Sequence, residues 1–455
     1  MSDTSVTAQK PVLRMRPGMH FKGESEARIE SMSHDLSGVA HVDGKAVFIE
    51  GALPGERVRY GITRRKPSFD KGIALEILEV SAERVLEPPC EYFGICGGCA
   101  LQHLKDDAQL KYKQTIVEDN FNKIGNVSPG QWLPAIQGPA WAYRRKARLG
   151  VRLVPKKGGV LVGFREKNNS YITNLKHCHV LDERIAGLLP ALRKLISGLS
   201  CPDRIPQVEV AAGDTDVAFV FRHLVALTAE DREALRQFEQ QHNIQVLLQP
   251  GGPESIQALE GPADLLEYRL PEFEIDIAFR ATDFTQVNID INRQMVHRAV
   301  ELLDLNANDR VLDLFSGLGN FTLPIARRCS EVLGIEGDTL LIEGAEGNAA
   351  RNGVENAHFK RGDLYQQSDT AAWNDYAFNK LMIDPPRNGA IEVLNHLTTD
   401  SAPEKIVYVS CYPSTLARDS GHLVHNLGYR LESACVMDMF PQTSHVESMA
   451  LFTRE

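Results

Sequence analysis

From about Arg14 to Val80, apolar and polar residues alternate in short runs: Glu26-Ala-Arg-Ile-Glu30, Gly38-Val-Ala-His-Val42, Lys45-Ala-Val-Phe-Ile49 and Glu56-Arg-Val-Arg-Tyr60. Asp43-Gly44 and Leu53-Pro54-Gly55 separate them, which predicts about five short strands joined by tight turns. Strands so short and closely spaced close into a small barrel of OB type. A stretch poor in Gly and Pro, Ala100 to Ile124, reads as helix, and residues 180–280 read as mixed α/β material without a motif. From Ala281 the pattern becomes regular strand–helix alternation, with strands expected at Arg310–Leu314, Glu331–Ile335, His358–Arg361, Lys380–Ile383, Lys405–Val409, Leu431–Asp438 and Ser448–Phe452. Such alternation folds as a doubly wound α/β sheet. The expected organisation is a disordered tail at 1–13, a barrel at 14–80, a central α+β domain at 81–280 and the doubly wound domain at 281–455.

Charge changes this picture. The net charge of -10 argues against a nucleic-acid partner, but its distribution reverses that. Residues 1–200 carry 30 Lys+Arg against 21 Asp+Glu, while the remainder carries 20 against 39. The barrel supplies Arg57, Arg59, Arg64, Arg65, Lys66 and Lys71. Farther on, Arg144, Arg145, Lys146, Arg148, Arg152, Lys156 and Lys157 follow one another without an intervening acid. A basic front and an acidic back are expected where one end grips phosphates. In shape and charge the barrel resembles TRAM, an RNA-binding module. No apolar run is long enough to span a membrane, and Met1 to Arg16 lacks an apolar signal core, so a cytoplasmic protein is expected.

The chemistry concentrates in the doubly wound part. Val311-Leu-Asp-Leu-Phe-Ser-Gly-Leu-Gly-Asn320 is an apolar strand running into a glycine-bearing turn. It lacks the third glycine of a dinucleotide fingerprint and the Gly-Lys-Ser/Thr of a phosphate loop, so a pyrophosphate is not what it holds. Glu336 ends the next strand, where a carboxylate accepts ribose hydroxyls. Asp363 ends the third strand and Asp384-Pro-Pro-Arg387 the fourth, with Asp313 at the root of the cleft. This set resembles the class I S-adenosylmethionine-dependent methyltransferases.

Two segments sharpen the reading: Val409-Ser-Cys-Tyr-Pro-Ser-Thr-Leu-Ala-Arg-Asp419 and His445-Val-Glu-Ser-Met449. A cysteine at a strand end is often only a small apolar filler. Cys411 instead opens a turn to a helix beside the cleft, where a thiolate can be stabilised. Together with Asp283-Phe-Thr-Gln-Val-Asn288, these segments look like the RNA uracil-C5 methyltransferase family. That resemblance implies that Gln286, Phe315, Asn320, Glu336 and Asp363 contact S-adenosylmethionine and that Asp384 meets cofactor and target base. It makes Cys411 the nucleophile and Glu447 the base. The family often has Asn after the nucleophile, and here stands Tyr412. An RNA cytosine-C5 methyltransferase is the nearest rival, but its Pro-Cys follows strand four, where this chain has Asp384-Pro-Pro-Arg387. A non-enzymatic RNA-binding factor needs neither Cys411 nor Glu447.

A last cluster is Cys90-x5-Cys96-x2-Cys99, with Cys178 of His177-Cys-His179 as the candidate fourth ligand. By count, zinc and an iron–sulfur cluster are equally served. Resemblance to the TRAM-bearing bacterial 23S rRNA uracil methyltransferases implies a 4Fe-4S cluster, a 23S rRNA partner and a monomer.

Overall fold

The computed structural model describes residues 15, 18–366, 373–397 and 402–454. The tail expected at 1–13 lies outside them. β1 (Glu24–Arg28), β2 (Ser31–Met32), β3 (Gly38–Val42), β4 (Lys45–Glu50), β5 (Arg57–Arg65) and β6 (Phe69–Glu79) form one sheet in the order β1-β5-β6-β4-β3-β2. Its alternation has the physical meaning anticipated: Val58, Tyr60 and Ile62 of β5 are buried, while Arg57, Arg64 and Arg65 face solvent. The barrel is tied to the segment after it by a buried ion pair, in which Arg84 Nη2 donates to Glu56 Oε2 at 2.7 Å and to the Gly51 carbonyl at 2.7 Å.

The central part begins with α1 (Asp106–Asn120), which ends in a wide turn over Phe121–Gly125, then β7 (Gln131–Trp132), β8 (Lys146–Val154) and β9 (Gly159–Gly163). It continues with α2 (Glu183–Ala186), α3 (Leu189–Gly198), β10 (Gln207–Ala212), β11 (Val217–Arg222), α4 (Ala229–His242), β12 (Gln245–Gln249) and β13 (Gln257–Ala258). A mixed sheet in the order β13-β12-β11-β10-β8-β9 packs on α3 and α4. Here the structure corrects one expectation. The cations in and just before β8 are unopposed in sequence but not in space, because Arg145 pairs with Asp214 at 2.5 Å and Arg148 with Glu209 of β10 at 2.8 Å. Acids absent from the segment arrive from its neighbours, so only part of the basic run is left for phosphates.

A hairpin of β14 (Leu266–Leu270) and β15 (Ile275–Phe279) leads into α5 (Ile289–Leu303). Then β16 (Arg310–Leu314), α6 (Thr322–Ala326), β17 (Glu331–Glu336), α7 (Thr339–Arg351), β18 (Ala357–Arg361), β19 (Lys380–Ile383), α8 (Ile391–Leu394), β20 (Lys405–Ser410), α9 (Pro413–Leu427), β21 (Arg430–Met437) and β22 (Glu447–Thr453) complete the chain. The sheet order is β18-β17-β16-β19-β20-β22-β21-β7. β18 to β20 run parallel, β22 is antiparallel to both neighbours, and β7 joins the far edge parallel to β21 from within the central segment. The wide turn after α1 packs on α9 at Gly125, where an added Cβ would sit 2.4 Å from the Ala417 carbonyl oxygen. The order reverses between β16 and β19, which opens a crevice at their carboxyl ends.

Candidate active site

The crevice is floored by the turn after β16. Phe315 and Gly317 both hold left-handed backbone, with φ of 67° and 54°, and Gly319 follows at 90°. A glycine costs nothing there, whereas Phe315 is strained and must be held. Its N–H donates to the Ile335 carbonyl at 3.0 Å, and its ring lies against Tyr365 at 5.8 Å. Glu336 braces the turn: Oε2 accepts from Gly317 N–H at 3.1 Å, while Oε1 accepts from Gly337 and Asp338 N–H at 2.7 and 3.0 Å. Asp363 caps its own turn through Tyr365 N–H at 3.1 Å. Because β18, β17 and β16 are adjacent and parallel, Asp363, Glu336 and Phe315 stand side by side at their ends. Gln286 lies half-buried in the loop that enters α5.

Asn320 is expected at the cofactor, and the structure places its amide in a reciprocal pair with Asn292 of α5, at 2.9 and 3.0 Å. Tyr268 Oη of β14 also donates to Asn320 Oδ1, at 3.0 Å. Neither partner carries a sequence signal, since each sits in an ordinary amphipathic element outside the motifs. Below the turn Asp313 is fully buried, accepts from Thr322 Oγ1, and is pushed up to about 7 by burial. Asp313 Oδ1 and Ser316 Oγ are buried without a hydrogen-bond partner among the described residues, as polar atoms awaiting a ligand would be.

On the other side of the reversal, three groups meet. Ser410 of β20 pairs with Ser448 of β22, so Cys411 and Glu447 occupy the next positions on the two strands. Opposed residues of antiparallel strands stand roughly 5 Å apart at Cα. Asp384 ends β19, whose Ile383 pairs with Tyr408 of β20, and so joins the same edge. Burial pushes Glu447 up to about 8, with the neighbouring Asp384 adding to the effect and Lys113 and Arg387 opposing it. Asp384 itself is pushed up to about 7 by burial.

The thiolate expected at Cys411 is not what the free site provides. Burial and the carboxyls of Glu447 and Asp384 push its thiol up to about 12, against the weaker pull of Arg387. The rest of that motif has a holding role: Asp419, fully buried, accepts from Tyr408 Oη at 2.6 Å and Ala390 N–H at 2.8 Å, stapling α9 to β20 and to the loop after Asp384.

The other predicted set also converges. Cys90, Cys96, Cys99 and Cys178 line one small apolar cavity, with Phe93, Phe164, Leu175 and Val180 around it. Burial pushes Cys96 up to about 11 and Cys99 up to about 12. Gly98 N–H donates to Cys96 Sγ at 3.4 Å. Among the described residues, no group of three or more His, Cys, Asp or Glu side chains closes to the spacing of a single metal ion.

Residues 107–455 match the model of the tRNA (uracil-5-)-methyltransferase family. The chain belongs to that family. Residues 24–75 match the TRAM domain, so the barrel of this uracil-5-methyltransferase is the module its shape and charge resembled. The 23S rRNA (uracil(1939)-C(5))-methyltransferase RlmD of Aromatoleum aromaticum is 51% identical over 94% of this chain and 99% of its own. Its namesake in Azoarcus sp. is 51% identical, again over 94% and 99%. Among solved structures, the Pyrococcus abyssi tRNA (uracil-54, C5)-methyltransferase with S-adenosyl-L-homocysteine aligns at a TM-score of 0.72. It has 23% identity and covers 94% of this chain and 99% of its own, which shows the shared fold. No helix among the described residues is long and apolar enough to cross a membrane.

For a methyltransferase of this family, the Asn292–Asn320 pair has a measurable consequence. Asn292→Ala leaves Asn320 without its partner amide and is expected to raise the Kd for S-adenosylmethionine about tenfold, the worth of one buried hydrogen-bonded pair. Calorimetry giving the parent Kd would remove Asn320 from cofactor binding.

Proposed function

We propose that this enzyme methylates C5 of a uridine in 23S rRNA, using S-adenosylmethionine, through a covalent bond from Cys411. The observation that carries the reading is the placing of Cys411, Glu447 and Asp384 on one edge beside the glycine turn of β16. The rRNA target follows from the relatives' names and from the RNA-binding barrel at the front of the chain. An rRNA substrate sets the reaction in the cytoplasm.

C5 of uracil is a poor nucleophile, because two carbonyls hold the ring's electrons. When the Cys411 thiol gives up its proton to solvent and Sγ adds to C6, an enolate forms and C5 becomes nucleophilic enough to take the methyl from the sulfonium. The C5 proton must then leave. Glu447 receives it, the C5–C6 double bond re-forms, the C6–S bond breaks, and its electrons return to Sγ. A carboxyl raised to about 8 is a stronger base than an ordinary one, which suits this step near neutral pH. Gln286, Phe315, Glu336 and Asp363 would hold the cofactor, with Asp384 between cofactor and base. Both C5 and C6 must be approached, so the uridine is expected to leave its stack. A complex with the target base still stacked would sink that part.

The test of reaction and substrate is mass spectrometry of ribosomal RNA after incubation with labelled S-adenosylmethionine. Label at 5-methyluridine in one large-subunit fragment is the expected result. Label only in tRNA would overturn the substrate, and label at cytosine would overturn the chemistry.

We further propose that Cys90, Cys96, Cys99 and Cys178 hold a 4Fe-4S cluster. The four thiols, two buried and two half-buried, line one small apolar cavity, a lining that suits an iron–sulfur cluster. Protein purified without oxygen should contain iron and acid-labile sulfide in equal amounts, and Cys178→Ser should lose both. Stoichiometric zinc in place of iron would refute the assignment.

A further inference from the structure

Glu447 opens β22, and the chain reaches it from the end of β21 through residues 438–446. A connection between antiparallel strands is ordinarily short and solvated. This one is neither. Gln442, at its middle, is 1% exposed and holds a left-handed φ of 66°. Its carbonyl accepts from Ala100 and Leu101 N–H at 2.8 and 3.0 Å, and its own N–H donates to Gln109 Oε1 at 2.9 Å. Its side-chain amide donates to Asp106 Oδ1 at 2.8 Å and accepts from Gln109 Nε2 at 3.0 Å.

The same face of α1 continues the grip. Lys113, 1% exposed, donates to Asp438 Oδ1 at 2.7 Å and to the Phe440 carbonyl at 3.0 Å. Asp106, Gln109 and Lys113 are spaced three and four apart and so line one side of the helix. From the loop before β8, Tyr143 Oη donates to the Pro441 carbonyl at 2.9 Å. The segment that delivers Glu447 is therefore fixed from outside the catalytic sheet. Backbone strain retained five residues before the base needs such surroundings to persist.

We propose that Gln442 is a positioning residue for the second half of the reaction, holding Glu447 where the C5 proton leaves. This rests on Glu447 being the base. Addition of Sγ to C6 and transfer of the methyl group do not use the Glu447 carboxylate as proton acceptor. Loosening the loop thus slows proton removal and C6–S cleavage while leaving the first half intact. Ala100 and Leu101 directly follow Cys99, so the cysteine pocket is joined to the base through a single glutamine.

The decisive variant is Gln442→Asn. Asparagine tolerates left-handed backbone, keeping the main-chain bonds, but its shorter side chain cannot reach Asp106 and Gln109. With rRNA fragment and labelled S-adenosylmethionine, the covalent protein–RNA adduct should accumulate, its breakdown slowed about tenfold for the buried bonds lost. Adduct formation and KM for S-adenosylmethionine should stay at parent values. Asp106→Ala, an exposed position that leaves the core alone, should slow breakdown in the same selective way, and Asp106→Asn, which keeps the acceptor oxygen, should restore it. Were Gln442→Asn not to fold, the Asp106 pair carries the test. Equal slowing of both halves would make Gln442 merely structural, and breakdown at the parent rate would deny it any role. If Glu447→Gln traps no adduct, the base assignment has failed. If it traps one while Gln442→Asn turns over normally, only the positioning role has.

Discussion

Cys411→Ala should abolish methyl transfer while leaving S-adenosylmethionine bound. The loss expected is at least about 10⁴-fold, because without the adduct no later step has a substrate. Phe315, Glu336 and Asp363, proposed to hold the cofactor, stand at the ends of β16, β17 and β18, across the reversal from Cys411, so removing one sulfur leaves them intact. Calorimetry should return the parent Kd. The parent itself should gain rate as pH rises, because a thiol held up to about 12 offers a thiolate only sparingly at neutrality. A variant that lost cofactor affinity would place Cys411 in binding instead of catalysis.

Glu447→Gln should stop the reaction at its midpoint. The amide cannot take the C5 proton, so methylated uridine stays joined to Cys411 and the protein–RNA band survives a denaturing gel. Free product at the parent rate would remove Glu447 from the mechanism. The same substitution carries a pH signature. A carboxyl raised from 4.5 to about 8 keeps its proton in the folded chain at pH values where the unfolded chain has released it. The folded state then binds more protons at this site, so the contribution of Glu447 to stability is greatest below about pH 4.5 and falls as pH rises to about 8. Glutamine does not titrate. The variant should therefore melt higher than the parent at pH 8, by about 1 °C per kcal/mol recovered for a chain of this length, and the gap should close towards pH 5. A gap equal at both values would mean that Glu447 is already ionised in the fold.

Much of the fold is legible in the sequence because its signals are local. β16 and β19 have the bounds expected of them, since a run such as Arg310–Leu314 must be apolar to be buried on both faces. Cys178 could be proposed as a partner of Cys90, Cys96 and Cys99 because cysteine is scarce, and the chain does bring all of them to one cavity. What stays hidden depends on contacts distant in sequence. Arg148 looks unopposed until Glu209 is laid beside it on β10. Lys113 reads as an ordinary helical lysine, and only the fold puts it on Asp438, close enough to bear on Glu447. The environment of Cys411 is hidden in the same way: the turn into α9 is local, but the burial that pushes its thiol up, and the carboxyls of Asp384 and Glu447 that add to it, come from elements distant in sequence.

The edge strand β7 has a consequence for how the protein is made. It is synthesised well before β16 to β22, yet pairs with β21, and Ile136 continues the contact to Met437. The emerging chain must therefore keep this strand in reserve until β21 has left the ribosome. Such long-range closure is slow and leaves an unpaired strand edge exposed in the interim. A fragment starting at Ala281 would carry that open edge permanently, together with the face of α9 that Gly125 covers, and should associate through it. The catalytic end is no portable module.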